Sequence, residues 1–176
     1  MNARQGIQAS FSPAAKALGA TELLRTISHA DVDSAWQEIA HAGWVVDDGA
    51  VLLRALRDSY HGERSRFTDV VGFEAAVNGR GIPDLDLEGQ GSSAIPTLLR
   101  RGLAFAWLSL DRLTGEMGRR VSAFVTVTPM LFDPDQVTGN VTFCSSGGDR
   151  TAYLSIESYD GIAVRIDRDD VLTALP

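Results

Sequence analysis

The clearest pattern in this chain is an alternation of apolar and polar residues in its second half. Apolar residues take every second place in three runs, RRVSAFVTVTP from Arg119, TAYLSIES from Thr151 and GIAVRID from Gly161. A period of two places these residues on one face of a β-strand, and turn-forming residues separate the runs. The second half is therefore predicted to form an antiparallel, meander-type sheet in which each strand has one apolar face.

Two further segments complete the predicted sheet. The apolar run AFAWLSLDRL is expected to pair, as a strand, with the strand at 119–129 across a turn at Thr114–Gly118. The run VTFCSS is expected to join TAYLSIES across a turn at Gly147-Gly148-Asp149. After the last strand, Asp169 or Asp170 is predicted to cap a short closing helix.

The first half of the chain is predicted to be mainly helical. Ser12 is a predicted N-cap followed by Pro13 at the first helical position, and Gly19 is expected to divide this helix in two. From residue 31 to residue 42, apolar residues recur at the spacing of a helical stripe, and Gly43 follows as a stop signal.

The segment 44–60, WVVDDGAVLLRALRDSY, fits two interpretations. Asp48-Gly49 between two apolar runs is a hairpin signal. Asp47 or Asp48 could equally cap a helix that runs to Tyr60. We favour the helix, and the hairpin stays open as the alternative.

Together these elements predict one α+β domain over residues 1–176, a length that suits a single hydrophobic core. The N-terminal helices are expected to pack on one face of a mainly antiparallel, meander-type sheet formed by the C-terminal half. Between the halves, residues 78–93 are dense in turn formers and form the longest predicted loop. Within it, Leu85 and Leu87 alternate with acids, which favours an ordinary edge strand.

Composition narrows the classes of function. Hydrophobic residues make up 44% and charged residues 22% of the chain, which is typical of a packed globular protein. A net charge of −7 argues against a nucleic-acid partner, because such proteins need a surplus of Lys and Arg. The most apolar run is too short to span a bilayer, so no membrane partner is expected. One cysteine, Cys144, and no apolar leader at the amino terminus predict a cytoplasmic location.

Sequence motifs give no positive sign of catalysis. The chain lacks the recognisable phosphate-loop, dinucleotide, zinc and nucleophile-elbow motifs, so we expect no cofactor and no metal, and a non-enzymatic role is favoured over an enzyme. Asp84-Leu85-Asp86-Leu87-Glu88-Gly89 resembles the opening of a calcium loop, yet Ile95 stands where a bidentate Glu is required. Cys144 lacks a sequence-local activating partner and is interpreted as strand packing.

A candidate pocket is the second hypothesis for function. His61 lies in the polar turn Tyr60-His61-Gly62-Glu63-Arg64, and functional residues concentrate on loops. His61, Tyr60 or Arg80 could hold a polar group of a small ligand in a pocket between helices and sheet. The apolar wall of that pocket is expected to come from aromatic residues, namely Trp36, Trp44, Trp107 and Tyr60.

The leading hypothesis rests on how the acidic residues are distributed. They gather in small clusters at predicted caps and loops, and those assigned to partner binding are Asp84, Asp86, Glu88, Asp47 and Asp48. Capping and solubility are one explanation for such clusters. The functional explanation is a non-enzymatic protein-binding module that steers a basic partner protein onto an acidic surface, as small inhibitors, bacterial immunity proteins and chaperones do. The sequence leaves the oligomeric state open.

Overall fold

The computed structural model describes residues 7–113, 119–146 and 152–168. Over these residues the chain forms six α-helices and seven β-strands joined by turns and short 3₁₀ segments. The helices are α1 (Pro13–Ala17), α2 (Ala20–Thr26), α3 (Ser34–His41), α4 (Arg54–Asp58), α5 (Val70–Asn78) and α6 (Ile95–Asp111). The strands are β1 (Ile7–Phe11), β2 (Trp44–Asp47), β3 (Ala50–Leu53), β4 (Arg80–Gly81), β5 (Arg120–Pro129), β6 (Val137–Ser146) and β7 (Ile162–Arg168).

Five of the strands form an antiparallel sheet in the order β1-β7-β5-β6-β4. The remaining two, β2 and β3, form a separate antiparallel hairpin. Most helices belong to the N-terminal half and the longest strands to the C-terminal half, so the predicted α+β class with a mainly antiparallel sheet is confirmed. Strand β7 pairs with β5 instead of β6, so the chain from β6 to β7 crosses the sheet. The N-terminal strand β1 extends the sheet beyond β7.

The inner face of the sheet packs against α6, which is the centre of the core. Alternate residues of β5, such as Val121 and Val125, belong to the same buried cluster as Leu103 and Phe105 of α6. Helices α2 and α3 contact the far side of α6, where Trp36 packs on Phe105 with ring centroids 4.2 Å apart. The layers are therefore sheet, then α6, then the short N-terminal helices.

Two glycines let the chain approach closely beside the inner face. Added Cβ atoms at Gly102 of α6 and Gly139 of β6 would lie 2.7 Å and 2.6 Å from Cδ1 of Ile82. Ile82 therefore fills a notch between helix and strand that exists only because both residues lack side chains. This contact fixes the start of the loop that follows β4.

Polar side chains of α5 join the hairpin to the edge of β6. Asn78 accepts a hydrogen bond from the Leu53 amide and donates to the carbonyl oxygens of Val51 and Phe143, at 2.9, 2.9 and 3.0 Å. One turn earlier, Glu74 accepts from the amides of Val51 and Ser145 at 2.8 and 2.7 Å. Both side chains are fully buried, so they replace the backbone pairing that β3 and β6 do not make with each other.

Several local predictions are confirmed. Strands β5 and β7 coincide with two of the three alternating runs. Ser12 caps α1 by accepting a hydrogen bond from the Ala15 amide, and Gly19, with φ of 72°, separates α1 from α2. The predicted helix at 31–42 forms as α3 but begins at Ser34, because Asp33 is its N-cap.

The prediction of a strand at AFAWLSLDRL is wrong, since residues 104–111 of this run form the second half of α6. The helix is covered by the sheet on one side and by α2 and α3 on the other, so it has no polar stripe to reveal its period. The favoured helix at 47–60 is also wrong. Asp48 and Gly49 take φ of 45° and 74° in the β2–β3 hairpin, and helix begins only at Arg54.

Two predicted strands do not form. Residues 152–158 of TAYLSIES cross the outer face of the sheet without pairing, because β5 occupies one edge of β6 while β4, Glu74 and Asn78 occupy the other. Leu85–Leu87, the predicted edge strand, is a 3₁₀ turn that leaves Leu85 91% exposed. The predicted turns at 114–118 and 147–149 and the closing helix after 168 lie outside the described residues.

Candidate functional site

Among the described residues, the most exposed large apolar side chains belong to two loops at one end of the sheet. Leu85 is 91% exposed, Leu131 85% and Phe132 96%. The first lies in the loop 83–91 that follows β4, and the other two lie in the loop 130–136 that connects β5 with β6. These two loops are called the loop surface below. Apolar side chains that are exposed together as a patch are typical of a contact site for another molecule.

Hydrogen bonds hold the two loops of this surface together at their bases. The Ile82 amide donates to the Gly139 carbonyl at 2.8 Å, and the Gly91 amide donates to the Gln136 side chain at 3.4 Å. Within the second loop, the Met130 amide donates to the Gln136 carbonyl at 2.9 Å. An added Cβ at Gly91 would lie 2.8 Å from the Asp135 carbonyl oxygen, so the loops touch there. The exposed residues are therefore carried by a defined scaffold.

Acidic residues surround the apolar side chains of the loop surface. The first loop carries Asp84, Asp86 and Glu88, and the second carries Asp133 and Asp135. All of these are exposed except Asp84, which is partly buried. The structure thus places three of the five predicted partner-binding residues in a single loop and adds two further acids beside them.

Asp86 differs from its neighbours because a cation of the core helix neutralises it. Its carboxylate accepts two hydrogen bonds from the Arg101 guanidinium of α6, at 2.8 and 2.5 Å. These hydrogen bonds hold the pKa of Asp86 below its ordinary value and raise the pKa of Arg101. Asp86 therefore anchors the loop to α6 and leaves Asp84, Glu88 and the second loop with most of the uncompensated charge.

The other two predicted partner-binding residues lie on the β2–β3 hairpin. Asp47 pairs with Arg57 at 2.5 Å, and Asp48 is an exposed turn residue. The hairpin is anchored to α6 through Trp44, whose indole donates to the Ser109 carbonyl at 2.8 Å. Ser109 and Arg101 are about 12 Å apart along α6 at the usual helical rise. The two acidic groups are thus tied to different parts of the core helix and do not form one patch through these anchors.

The predicted pocket of His61, Tyr60 and Arg80 is not assembled as expected. Tyr60 is half-buried with its ring against Phe73, centroids 5.9 Å apart, and His61 is exposed in the turn that follows. Arg80 donates to the carbonyl oxygens of Val77 and Gly79 at 3.2 and 2.6 Å and so caps the end of α5. Partial burial lowers the pKa of the Arg80 guanidinium.

The proposed tryptophan wall is also core instead of pocket lining. Trp36 and Trp44 are 8% and 3% exposed and pack on Phe105 and Phe143. Trp107 is partly buried against His29, with ring centroids 5.2 Å apart. A cavity of about 350 Å³ that described residues do form lies on the opposite, outer face of the sheet, and none of the three predicted pocket residues lines it.

Cys144 has the environment of a packing residue. It points to the outer face from β6, is 2% exposed, and its thiol donates a long contact to the Val71 carbonyl at 3.8 Å. Burial, reinforced by the negative charges of Glu74 and Asp69, raises the pKa of this thiol well above its ordinary range. A thiol that stays protonated is a poor nucleophile, which agrees with the interpretation made from the sequence.

The described ranges contain neither a metal-binding cluster nor a membrane-spanning helix. No group of three or more His, Cys, Asp or Glu residues is arranged to hold a metal ion in residues 7–113, 119–146 and 152–168. Of the helices in that part of the chain, none is both long and apolar enough to cross a bilayer. The chain matches no protein-family model, and no curated protein or solved structure shows significant similarity to it.

Sequence reasoning found the acids of the loop surface but missed its apolar residues. Met130-Leu131-Phe132 stands between Pro129 and Asp133-Pro134, where turn formers leave no room for a strand or helix. An apolar run inside a turn sequence is the signal that could have identified it. The same holds for Leu85, which the alternation with acids predicts to lie in an edge strand and which is almost fully exposed.

Proposed function

We propose that this protein is a non-enzymatic binding module whose loop surface docks a basic partner protein. The observation that carries the proposal is the near-complete exposure of Leu85, Leu131 and Phe132 on two joined loops that also hold five acids. Apolar anchors supply affinity when a partner desolvates them, and surrounding charges supply steering and partner choice. Both components therefore occur on the same scaffold.

Charge determines which partner this surface suits. The chain has a net charge of −7, and of the five acids in the loop surface only Asp86 is paired with a cation. An acidic partner would meet repulsion at Asp84, Glu88, Asp133 and Asp135, whereas a segment with Lys or Arg around apolar residues would satisfy both features of the surface. A bacterial immunity protein or inhibitor in the cytoplasm would have this design.

The hairpin acids have a lesser part in the proposal. Asp47 is engaged with Arg57, and Asp48 stands at a separate turn. We assign them a long-range contribution to the association rate and no direct contact with the partner. This separates them from the acids of the loop surface in any mutational test.

The test is capture of a partner from the native host, followed by binding measurements with the purified partner. Leu131→Ser with Phe132→Ser removes the apolar anchors from exposed positions and leaves the core intact. We expect at least about a tenfold loss of affinity, mainly through faster dissociation. The matched control is Leu18→Ser with Val46→Ser, two exposed apolar residues elsewhere at 43% and 47% exposure, which should bind like the parent.

A second variant tests the charges. Asp84→Asn with Glu88→Gln should slow association and flatten its dependence on salt, with less change in the dissociation rate, while Asp86 is kept because it anchors the loop to Arg101. Asp47→Asn with Asp48→Asn is the control and should have a smaller effect. Failure to recover any stoichiometric basic protein, or equal affinity of the Leu131 and Phe132 variant and the parent, would refute the proposed function.

A further inference from the structure

The outer face of the sheet holds a cavity of about 350 Å³ that the loop surface does not use. Its floor is formed by Phe124 and Thr126 of β5 and by Asn140 and Thr142 of β6. Ala75 of α5 and Gly79, which follows this helix, close one side, and the segment 152–161 crosses above the sheet on the other. The volume lies at the small end of the range found for ligand sites, roughly 300–1,000 Å³.

The walls of the cavity are aromatic on one side. Tyr153 stands edge-on to Phe124 with ring centroids 5.2 Å apart and is 43% exposed at the rim. Tyr159 is held in place by the turn at Ile156, whose carbonyl accepts from the Tyr159 amide at 3.3 Å, and by contact with Gly161. These rings present flat apolar surface on which a planar ligand can stack.

The opposite side of the cavity offers unused hydrogen-bonding groups. The Thr142 hydroxyl donates to Oδ1 of Asn140 at 2.9 Å, which directs the Asn140 amide nitrogen away from Thr142 as a free donor. In the described part of the chain, neither this amide nitrogen nor the hydroxyls of Thr126, Tyr153 and Tyr159 bond to another protein group. A ligand with a carbonyl or hydroxyl group would therefore find partners there.

The composition of the cavity lining disfavours a charged ligand. None of its lining residues is an acid or a base that is charged at neutral pH. Among the described residues, Arg165 and Arg80 adjoin the lining, and both are already engaged. Arg165 lies on the same face, 5.9 Å from the centre of the Phe124 ring, and pairs with Asp167 at 2.9 Å, while Arg80 donates to the Gly79 carbonyl at 2.6 Å. A charged ligand would lose hydration without gaining a counter-charge, and that loss is large.

We propose that this outer-face cavity is a binding site for a small uncharged ligand with a planar ring and a hydrogen-bond acceptor. The ring stacks beside Phe124 and the two tyrosines, and the acceptor takes the Asn140 amide donor. This site uses different residues from the loop surface, so it can be tested independently of the partner-binding proposal.

The experiment is an NMR titration of the full chain with benzamide, benzoate and benzamidine, three probes that share a ring and differ in charge. Benzamide should shift the Asn140 side-chain amide and the backbone signals of Tyr153 and Thr142. Its affinity should be at least about tenfold higher than that of either charged probe.

Matched variants locate the site. Thr126→Phe fills the cavity and should abolish the benzamide shifts, whereas Thr128→Phe places the same ring two residues along the same strand face, outside the lining, and should leave them unchanged. Asn140→Leu, at an exposed position, should weaken binding while the spectrum stays folded. Absence of benzamide binding at millimolar concentration, equal affinity for the charged probes, or unchanged shifts in Thr126→Phe would overturn the proposal.

Discussion

The two faces of the central sheet differ in how they are covered. On the inner face, alternate residues of β5 and β6 enter a continuous buried cluster that includes α6 and the short helices beyond it. On the outer face, a much smaller buried cluster is formed in the described part of the chain. Its members are Phe124, Cys144 and Ala163 of the strands and Ile156 of the segment 152–161 that crosses them. One strand thus supplies both faces, and only one of them is completely filled.

The filled inner face contributes mainly to the stability of the fold, and the thinly covered outer face leaves room for a ligand. A filled face resists change because every side chain is held by neighbours at close packing. A thinly covered face keeps hydrogen-bonding groups and a cavity that another molecule can occupy. We therefore expect substitutions on the inner face to affect mainly unfolding, and those among the residues that line the outer-face cavity to affect ligand binding.

The largest expected effect comes from two phenylalanines on opposite faces of neighbouring strands. Phe143→Ala removes a ring packed against Trp44 and Phe105 and should lower the free energy of unfolding by about 4 kcal/mol. Phe124→Ala opens space beside an existing cavity and should cost less than half as much, about 2 kcal/mol at most. Urea denaturation measures both. Equal losses would mean that the outer face is as tightly packed as the inner face.

A smaller effect is expected at the junction between sheet and hairpin. Asn78→Ala leaves the Leu53 amide and the carbonyl oxygens of Val51 and Phe143 buried without this partner, which should cost about 3 kcal/mol. Asn140→Ala, at an exposed position on the outer face, is the control. It removes a single partly buried hydrogen bond, to the Thr142 hydroxyl, and should cost about 1 kcal/mol at most. Comparable losses in chemical denaturation would contradict the bridging role of Asn78.

The smallest effect is expected at Cys144 on the outer face. Cys144→Ser should leave binding intact and lower stability by about 1 kcal/mol at neutral pH. Burial raises the pKa of the folded thiol, so the unfolded chain loses its proton first, above about pH 8.5, and stability falls as pH rises further. The parent should therefore lose more stability than the serine variant between pH 8 and pH 10. Parallel pH profiles, or rapid labelling of the native thiol, would contradict this assignment.

The elements predicted correctly from the sequence are those whose environment differs between their two sides. β7 alternates because Val164 and Ile166 face the core while Arg165 and Asp167 pair on the outer face. α6 could not be recognised because burial on nearly all sides leaves no polar stripe, and a short apolar run then fits a strand equally well. Residues 152–158 are the opposite case, because they alternate like a strand but form none. Alternating residues become a strand only where the edge of a partner strand is free.

The candidate sites were only partly predictable for a similar reason. Acid clusters are visible in a sequence, so Asp84, Asp86 and Glu88 were found, but the pairing of Asp86 with Arg101 depends on a contact between distant segments. The outer-face cavity combines α5, β5, β6 and the crossing segment, which no local pattern connects. At 44–53 the helix was favoured over the hairpin, and that preference is wrong. All four residues of β3 are buried, and an unbroken apolar run suits a helix and a strand equally well.

The two buried side chains of α5 also limit self-association through one edge of the central sheet. An open strand edge offers a row of backbone donors and acceptors that can template a strand from another chain. At Phe143 and Ser145 that row is occupied by Asn78 and Glu74, which belong to a helix and cannot be continued as a strand. The central sheet is thereby closed at this edge by helix side chains, and a chain that lost them would expose an aggregation-prone edge before it lost its core.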